Sequence, residues 1–297
     1  MYDSKNNLPE FLKQLLQEKY RPTPPTSYLP FPIRLPAPKD LKSPLSKKWH
    51  PLFLSSIRHK LDREERMGPK KIRDIQKGLT MPDVEQVVIG SAKKMVASIM
   101  FFDLMDFTLL SAGLGSENTL LVLNLILPQI MQIVKHWNGE IEKNTGDGIM
   151  AIFGTETRNN FLIARDTIEA AMTIRYVMVN EVNSRLGKKG IPAFGFRIGI
   201  DMEELLIARV GVQGTNFLTV VGSAANRASK LQSYARPSGI CVGENFYGNL
   251  HPKLYGYCEQ GSHKDWNWIY KDTKRPYRFF HFNADWPNPK EWLKIEF

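Results

Sequence analysis

Cysteine is nearly missing from this chain. Cys241 and Cys258 are the only two in 297 residues, too few for a disulfide framework and without metal-ligand spacing. No run approaches the roughly 18 uninterrupted apolar residues of a membrane span. The most apolar stretch, residues 119–134, carries Asn124, Pro128, Gln129 and Gln132 and reads as an amphipathic helix. The opening residues, MYDSKNNLPEF, lack the basic-then-apolar pattern of a signal peptide, and no internal repeat is present. These absences predict a cytoplasmic protein without a membrane span. Acidic residues are also in deficit: 30 Asp and Glu stand against 40 Lys and Arg, a formal net charge of +10. Residues 1–90 hold 17 Lys/Arg and 10 Asp/Glu, so +7 of that excess lies in the first third. Such a balance suits a polyanion, whether nucleic acid, an anionic surface or a nucleoside triphosphate; the plainer reading is a solvated basic tail. With 42% hydrophobic and 24% charged residues, the chain is not wholly disordered.

What is present falls into zones. Residues 9–19 have near-helical apolar spacing. Pro22, Pro24, Pro25, Pro30, Pro32, Pro36, Pro38 and Pro44 then forbid a regular helix or central strand, leaving an extended arm. A charged helical pattern runs from about Trp49 to Asp74. The segment KMVASIMFFD (94–103) is apolar and β-prone and predicts a buried strand. Ser116 and Glu117 then open an apolar helical run to Trp137. In GEIEKNTGDGIMAIF, two β-prone runs flank a Thr-Gly-Asp-Gly turn, a hairpin signal. A second long helix is predicted over 161–186, strands at 194–199, 205–212 and 217–221, and a helix at 224–234. This order is that of an α+β fold with an antiparallel sheet and helices on one face.

Two carboxylates stand out. Asp103 ends the apolar strand, where an ionisable group needs compensation. Asp147 sits in the hairpin turn between two glycines that allow close approach to its backbone. If the two strands are neighbours, both side chains leave one sheet edge as hard oxygen ligands suited to Mg²⁺ or Mn²⁺ holding a triphosphate. Taken singly, each is as well explained as a turn or strand-end Asp.

The segments FFDLMDFT and EKNTGDGIMAIF, about forty residues apart, together resemble the class III nucleotidyl cyclase catalytic domain. The likeness continues through FRIGID, FLTVVG, VGSAANRASKLQ and RPSGICVGENFY, over roughly residues 90–283. It implies a ferredoxin-like, palm-type fold, a nucleoside triphosphate substrate and two Mn²⁺ or Mg²⁺ ions per site. Asp103, Asp147 and the Leu104 carbonyl would be the metal ligands. Phe107 follows the first metal Asp in the family's Phe-Thr pair and is assigned to the nucleotide site. Lys143 and Thr219 match the base-reading positions, Asn226 the asparagine that orients the ribose, and Lys230 the place of the transition-state arginine. Lys271 matches, loosely, a late triphosphate-binding lysine, Asp272 replacing the glycine that usually follows. In the family the metal carboxylates come from one protomer and the base, ribose and transition-state residues from the other, which implies a homodimer with composite sites. The implied organisation is an arm over 1–48, a helical extension over 49–90, and a catalytic domain with an aromatic-rich C-terminus over 91–297.

Three further positions depart from the family pattern. Lys230 lacks the bidentate fork of arginine, and Arg227, one helical turn earlier, is a candidate substitute. Glu203 or its neighbour lies where a glycine is expected after RIGID, and Asp106 also takes a glycine's place. Lys143 with Thr219 follows the usual pairing for adenine. The divergent Asn-Arg-x-x-Lys helix instead resembles the pyrimidine cyclases of bacterial anti-phage defence, with Arg227 a candidate to fill space beside a smaller base. A uridylate or cytidylate cyclase is the favoured expectation, adenylate cyclase the alternative. A non-catalytic homologue that binds nucleic acid through the basic N-terminal third, with Tyr28, Phe31 and Trp49, is a separate alternative. Trp266, Trp268, Trp286 and Trp292 offer a protein interface; both sets of aromatic residues are more simply expected to be packing elements of a dimer.

Overall fold

The computed structural model describes residues 45–46, 48–67, 86–155, 159–270 and 272–287. The expected helix at 9–19, the proline-rich arm, Lys271 and Trp292 lie outside the described residues. The chain divides into a small unit that includes His263–Tyr277 and a large unit that includes residues 45–262 and 278–287. In the small unit Trp268, Tyr270 and Tyr277 are buried together, with Trp266 packed against them. The Arg275 guanidinium lies 4.5 Å from the Tyr270 ring centroid.

The large unit is built on one eight-stranded sheet: β1 (Ala92–Leu104), β2 (Gly139–Asn144), β3 (Gly148–Phe153), β4 (Phe196–Val212), β5 (Thr215–Val221), β6 (Gly239–Gly243), β7 (Cys258–Gln260) and β8 (Phe279–Phe282). Strand order is β2-β3-β1-β4-β6-β8-β7, with β5 paired to β4. β1 is flanked on both sides by antiparallel partners, β3 and β4. Alternation along β1 supplies both faces. Met100, Phe102 and Leu104 enter one core, and Ala97 and Ile99 enter another.

The first core holds most of the helices. α1 (Pro51–Met67) starts with proline at its first position, where the missing N–H costs nothing. Leu54, Ile57 and Leu61 bury one of its faces, each contributing roughly 1.5–3 kcal/mol. α2 (Phe107–His136) is broken at Gly115, whose φ of 75° and ψ of 162° leave the helical region. The helix expected from Ser116 is therefore its second segment; residues 107–114 add an earlier one. By length and composition alone, α2 is also long and apolar enough to cross a bilayer. Val122, Leu125, Ile126, Ile130 and Ile133, in its C-terminal half, pack into the first core. α3 (Asn160–Val177), capped by the Asn159 side chain on Leu162 N, continues through a π turn, Met178–Val182, into α4 (Asn183–Lys188).

Three expectations are corrected. The strands expected at 194–199 and 205–212 are one continuous β4. β6 runs parallel to β4, so the sheet is mixed rather than wholly antiparallel. The helices do not all share a face: α5 (Ser223–Tyr234) packs on the second core through Ala224 and Ala228. Gly199 permits this, because a Cβ there would overlap the Ala228 carbonyl and the Gln232 amide.

Candidate active site

β1, the β2–β3 turn and α5 meet at one end of the sheet. In the strand register Asp103 lies opposite Gly148 on one side and Arg197 on the other. The turn between β2 and β3 is closed by Thr145 N donating to Gly148 O at 3.0 Å and Gly146 N to Asn144 Oδ1 at 2.7 Å. Gly146 takes a φ of 105°, which favours glycine. Gly148 must also be small, since a Cβ would stand 2.8 Å from Asp103 Oδ1. Asp147 follows from this local geometry, half-buried beside Asp103.

The Asp103 carboxyl feels its neighbour. Burial, and then the charge of Asp147, push the Asp103 carboxyl up to about 6; a hydrogen bond from Gln232 and the charge of Arg197 oppose the rise. Gln232 Nε2, on α5, donates to Asp103 Oδ2 at 3.3 Å. Among the described residues no cluster of three His, Cys, Asp or Glu forms a protein-only metal cage. Two neighbouring carboxylates, on a half-exposed edge, form an all-oxygen set with positions left for phosphate. Divalent ions that keep substrate ligands favour such a set, so the residues present fit Mg²⁺ or Mn²⁺. Leu104 is buried as a side chain, leaving its backbone as the part able to serve the site. Phe107 opens α2, half-buried, its ring 6.0 Å from that of Phe194. Asp106, before it, has φ 54° and ψ 22°. A glycine is natural in that left-handed region and Asp tolerates it, which accounts for this departure.

The base-reading positions also come together. A bulge in β2 shifts register between Ile141 and Lys143. Glu142, buried there, accepts from Thr219 Oγ1 at 3.1 Å and holds Lys143 Nζ at 3.1 Å from its other oxygen.

α5 separates the two candidates for the missing arginine. Asn226 and Lys230 lie on its exposed face, with Lys230 Nζ 5.9 Å from the Tyr234 ring centroid. Arg227 is fully buried. Its Nε bonds buried Asp201 and its Nη2 bonds Glu203 at 2.9 Å. Arg227 is thus neither the substrate-facing guanidinium nor the filler beside a small base that the sequence predicts; two carboxylates hold it in the core. Glu203 also accepts from Ala224 N at 2.6 Å, capping α5 where Gly222 supplies no side chain. Glu203 therefore fastens α5 by two bonds.

Residues 90–264 match the family described as "Adenylate and Guanylate cyclase catalytic domain". The chain belongs to that family. Among curated cyclases, it is similar to an adenylate cyclase of Anabaena cylindrica, 26% identical over 201 residues, covering 67% of this chain and 39% of that protein. It is 27% identical to a uridylate cyclase of Burkholderia cepacia, covering 61% and 79%. A cytidylate cyclase of Escherichia coli is 28% identical, covering 51% and 34%. This cyclase chain thus spans well under half of two of these relatives and about four-fifths of the third. In fold it is similar to the crystal structure of the adenylyl cyclase CyaB from P. aeruginosa, with a TM-score of 0.58 at 22% identity, covering 67% of this chain and 98% of that one. Sequence reasoning about the candidate site missed Gln232, Arg197 and Glu142. Arg197 was findable as the cross-strand neighbour of Asp103. Gln232 and the Glu142 bulge needed coordinates.

Proposed function

We propose that the chain is a homodimeric nucleotidyl cyclase converting a pyrimidine nucleoside triphosphate, CTP or UTP, to its 3′,5′-cyclic nucleotide and pyrophosphate, a second messenger of anti-phage defence. The observation that carries the cyclase reading is the pair Asp103 and Asp147 brought together over Gly148. Asp103, Asp147 and the Leu104 carbonyl would hold two Mn²⁺ or Mg²⁺ ions. Bound there, such ions acidify the ribose 3′-hydroxyl and neutralise the triphosphate. Lys143 and Thr219 meet the base edge, and Asn226 orients the ribose. Phe107 closes the site at the start of α2, and Lys271 joins the triphosphate by its sequence match alone. The 3′-oxygen attacks the α-phosphorus, its proton passes to water, and the bond to the pyrophosphate oxygen breaks. Lys230 stabilises the negative charge that grows on the phosphate as this happens.

Asn226 and Lys230 face outward, while the chain's own Gln232 occupies Asp103. That supports sites completed across a dimer, with α5 of one protomer serving the carboxylates of the other. The uridylate and cytidylate cyclases among the relatives support a pyrimidine; the Lys143–Thr219 pair and the Anabaena relative support adenine as the second reading. An equimolar mixture of the four nucleotides with Mn²⁺, its cyclic products identified by mass, separates them. Cyclic CMP or cyclic UMP should exceed cyclic AMP at least about tenfold, equivalent to about 1.4 kcal/mol in transition-state binding. Dominant cyclic AMP would overturn the pyrimidine assignment.

A further inference from the structure

The β2 bulge sets a carboxylate where no base-reading role has been assigned to one. Glu142 is buried, its side chain 2% exposed, beneath a half-exposed Lys143. It bridges Lys143 to Thr219, a residue 77 positions away in sequence on β5. A regular strand would send residues 142 and 143 to opposite faces; the extra residue of a bulge re-aims them, so that both serve one side of the hairpin.

We infer that Glu142 is a positioning residue that fixes the hydrogen-bond polarity of the base pocket and selects amino bases, cytosine or adenine, over keto bases, uracil or guanine. The inference rests on the base-reading role proposed for Lys143 and Thr219. A carboxylate only accepts, so the Thr219 hydroxyl must spend its proton on Glu142 and present lone pairs to a ligand. Lys143, held at one corner by the same carboxylate, keeps N–H groups to donate. The pocket therefore offers one acceptor and one donor in a set arrangement. Threonine is short and anchored, and reaches the group that protrudes farthest from the base, the exocyclic one. Lysine is long and reaches back to the ring nitrogen. An exocyclic amine beside a bare ring nitrogen satisfies both. A carbonyl beside a ring N–H sets lone pair against lone pair at Thr219 and proton against proton at Lys143, leaving polar groups unmatched.

The test is equilibrium binding, by calorimetry with Mn²⁺ on the full chain, of the four 3′-deoxynucleoside triphosphates, which lack the attacking hydroxyl. Wild type should bind the cytidine analogue about tenfold tighter than the uridine analogue, and the adenosine analogue tighter than the guanosine analogue by a similar factor. Glu142→Gln, whose amide also donates, should bring both ratios to within about threefold, while binding of the Mn²⁺ ion alone stays unchanged. Thr219→Val removes the hydroxyl but keeps the shape and leaves Glu142 in place. It should lose the same discrimination, which keeps the test decisive if Glu142→Gln does not fold. The double variant should be no worse than either single one. Equal binding of amino and keto analogues by wild type overturns the inference, as does a Glu142→Gln or Thr219→Val protein that weakens all four equally. Because these analogues cannot cyclise, the result stands apart from turnover, whose absence would count against the cyclase reading alone.

Discussion

Asp103 is kept where its charge is costly. Burial and Asp147 raise its folded value to about 6, against about 3.9 for an unfolded Asp. The folded state therefore binds the proton more tightly. Stability of the metal-free protein falls as pH rises from about 4 through 6, and the penalty is complete above 6. A divalent ion reverses that penalty, so its stabilising effect should be small at pH 5 and largest above pH 6. Melting temperatures with and without Mn²⁺ across that range check this. Asp103→Asn should melt at or above the wild-type temperature without metal at pH 7.5 while losing both the Mn²⁺ response and turnover. A lower melting temperature would show that Asp103 serves the fold. Arg227 and Lys230 should behave as opposites. Arg227→Met strands two carboxylates in the core and should cost about 3–5 kcal/mol in urea denaturation. Lys230→Ala should change stability by less than about 0.5 kcal/mol and reduce turnover. At this scale the motif positions were legible because glycines and carboxylates at fixed spacing carry local geometry. The status of Arg227 was not, because burial depends on Asp201 and Glu203 arriving from another element.

Among the elements, those with strong periodicity were readable: β1, the β2–β3 hairpin and the run from α3 through α4. The long β4 was read as two strands because 200–204, IDMEE, breaks the apolar pattern. Those residues remain extended because β1 pairs with them throughout, Ala97 opposite Glu203 and Ile99 opposite Asp201. The parallel pairing of β4 with β6 joins distant segments, and nothing in the sequence encodes it locally. The same holds for the join between α1 and the end of the large unit. Trp49, fully buried, stacks on Trp286 at 5.5 Å and meets Tyr176 edge-on at 4.9 Å. Its indole donates to Pro287 O at 3.1 Å, and that of Trp286 to Thr173 Oγ1 at 2.9 Å. Ser46, just upstream, donates through both its N–H and its hydroxyl to Glu169, buried on α3. Trp49→Ala should therefore cost about 3–5 kcal/mol, and hydrogen exchange should accelerate through α1 before the sheet. Uniform acceleration across sheet and helices alike would show that α1 is not a separable layer.

For the whole molecule, the net charge of +10 favours a polyanionic ligand, and the proposed homodimer is open to a complementation test. Asp147→Ala and Asn226→Ala chains should each be inactive alone. After subunit exchange they should recover activity, because one of the two sites in the heterodimer is complete. Failure to recover despite demonstrated exchange would place all the chemistry within one protomer. The decisive experiment is the simplest: wild-type protein with Mn²⁺ and a single α-labelled nucleoside triphosphate, products resolved by mass. One pyrophosphate should appear for every 3′,5′-cyclic nucleotide formed, and the Asp147→Ala protein should form neither. A wild-type protein that binds nucleotide and Mn²⁺ yet yields no cyclic product from any of the four triphosphates would contradict the cyclase assignment.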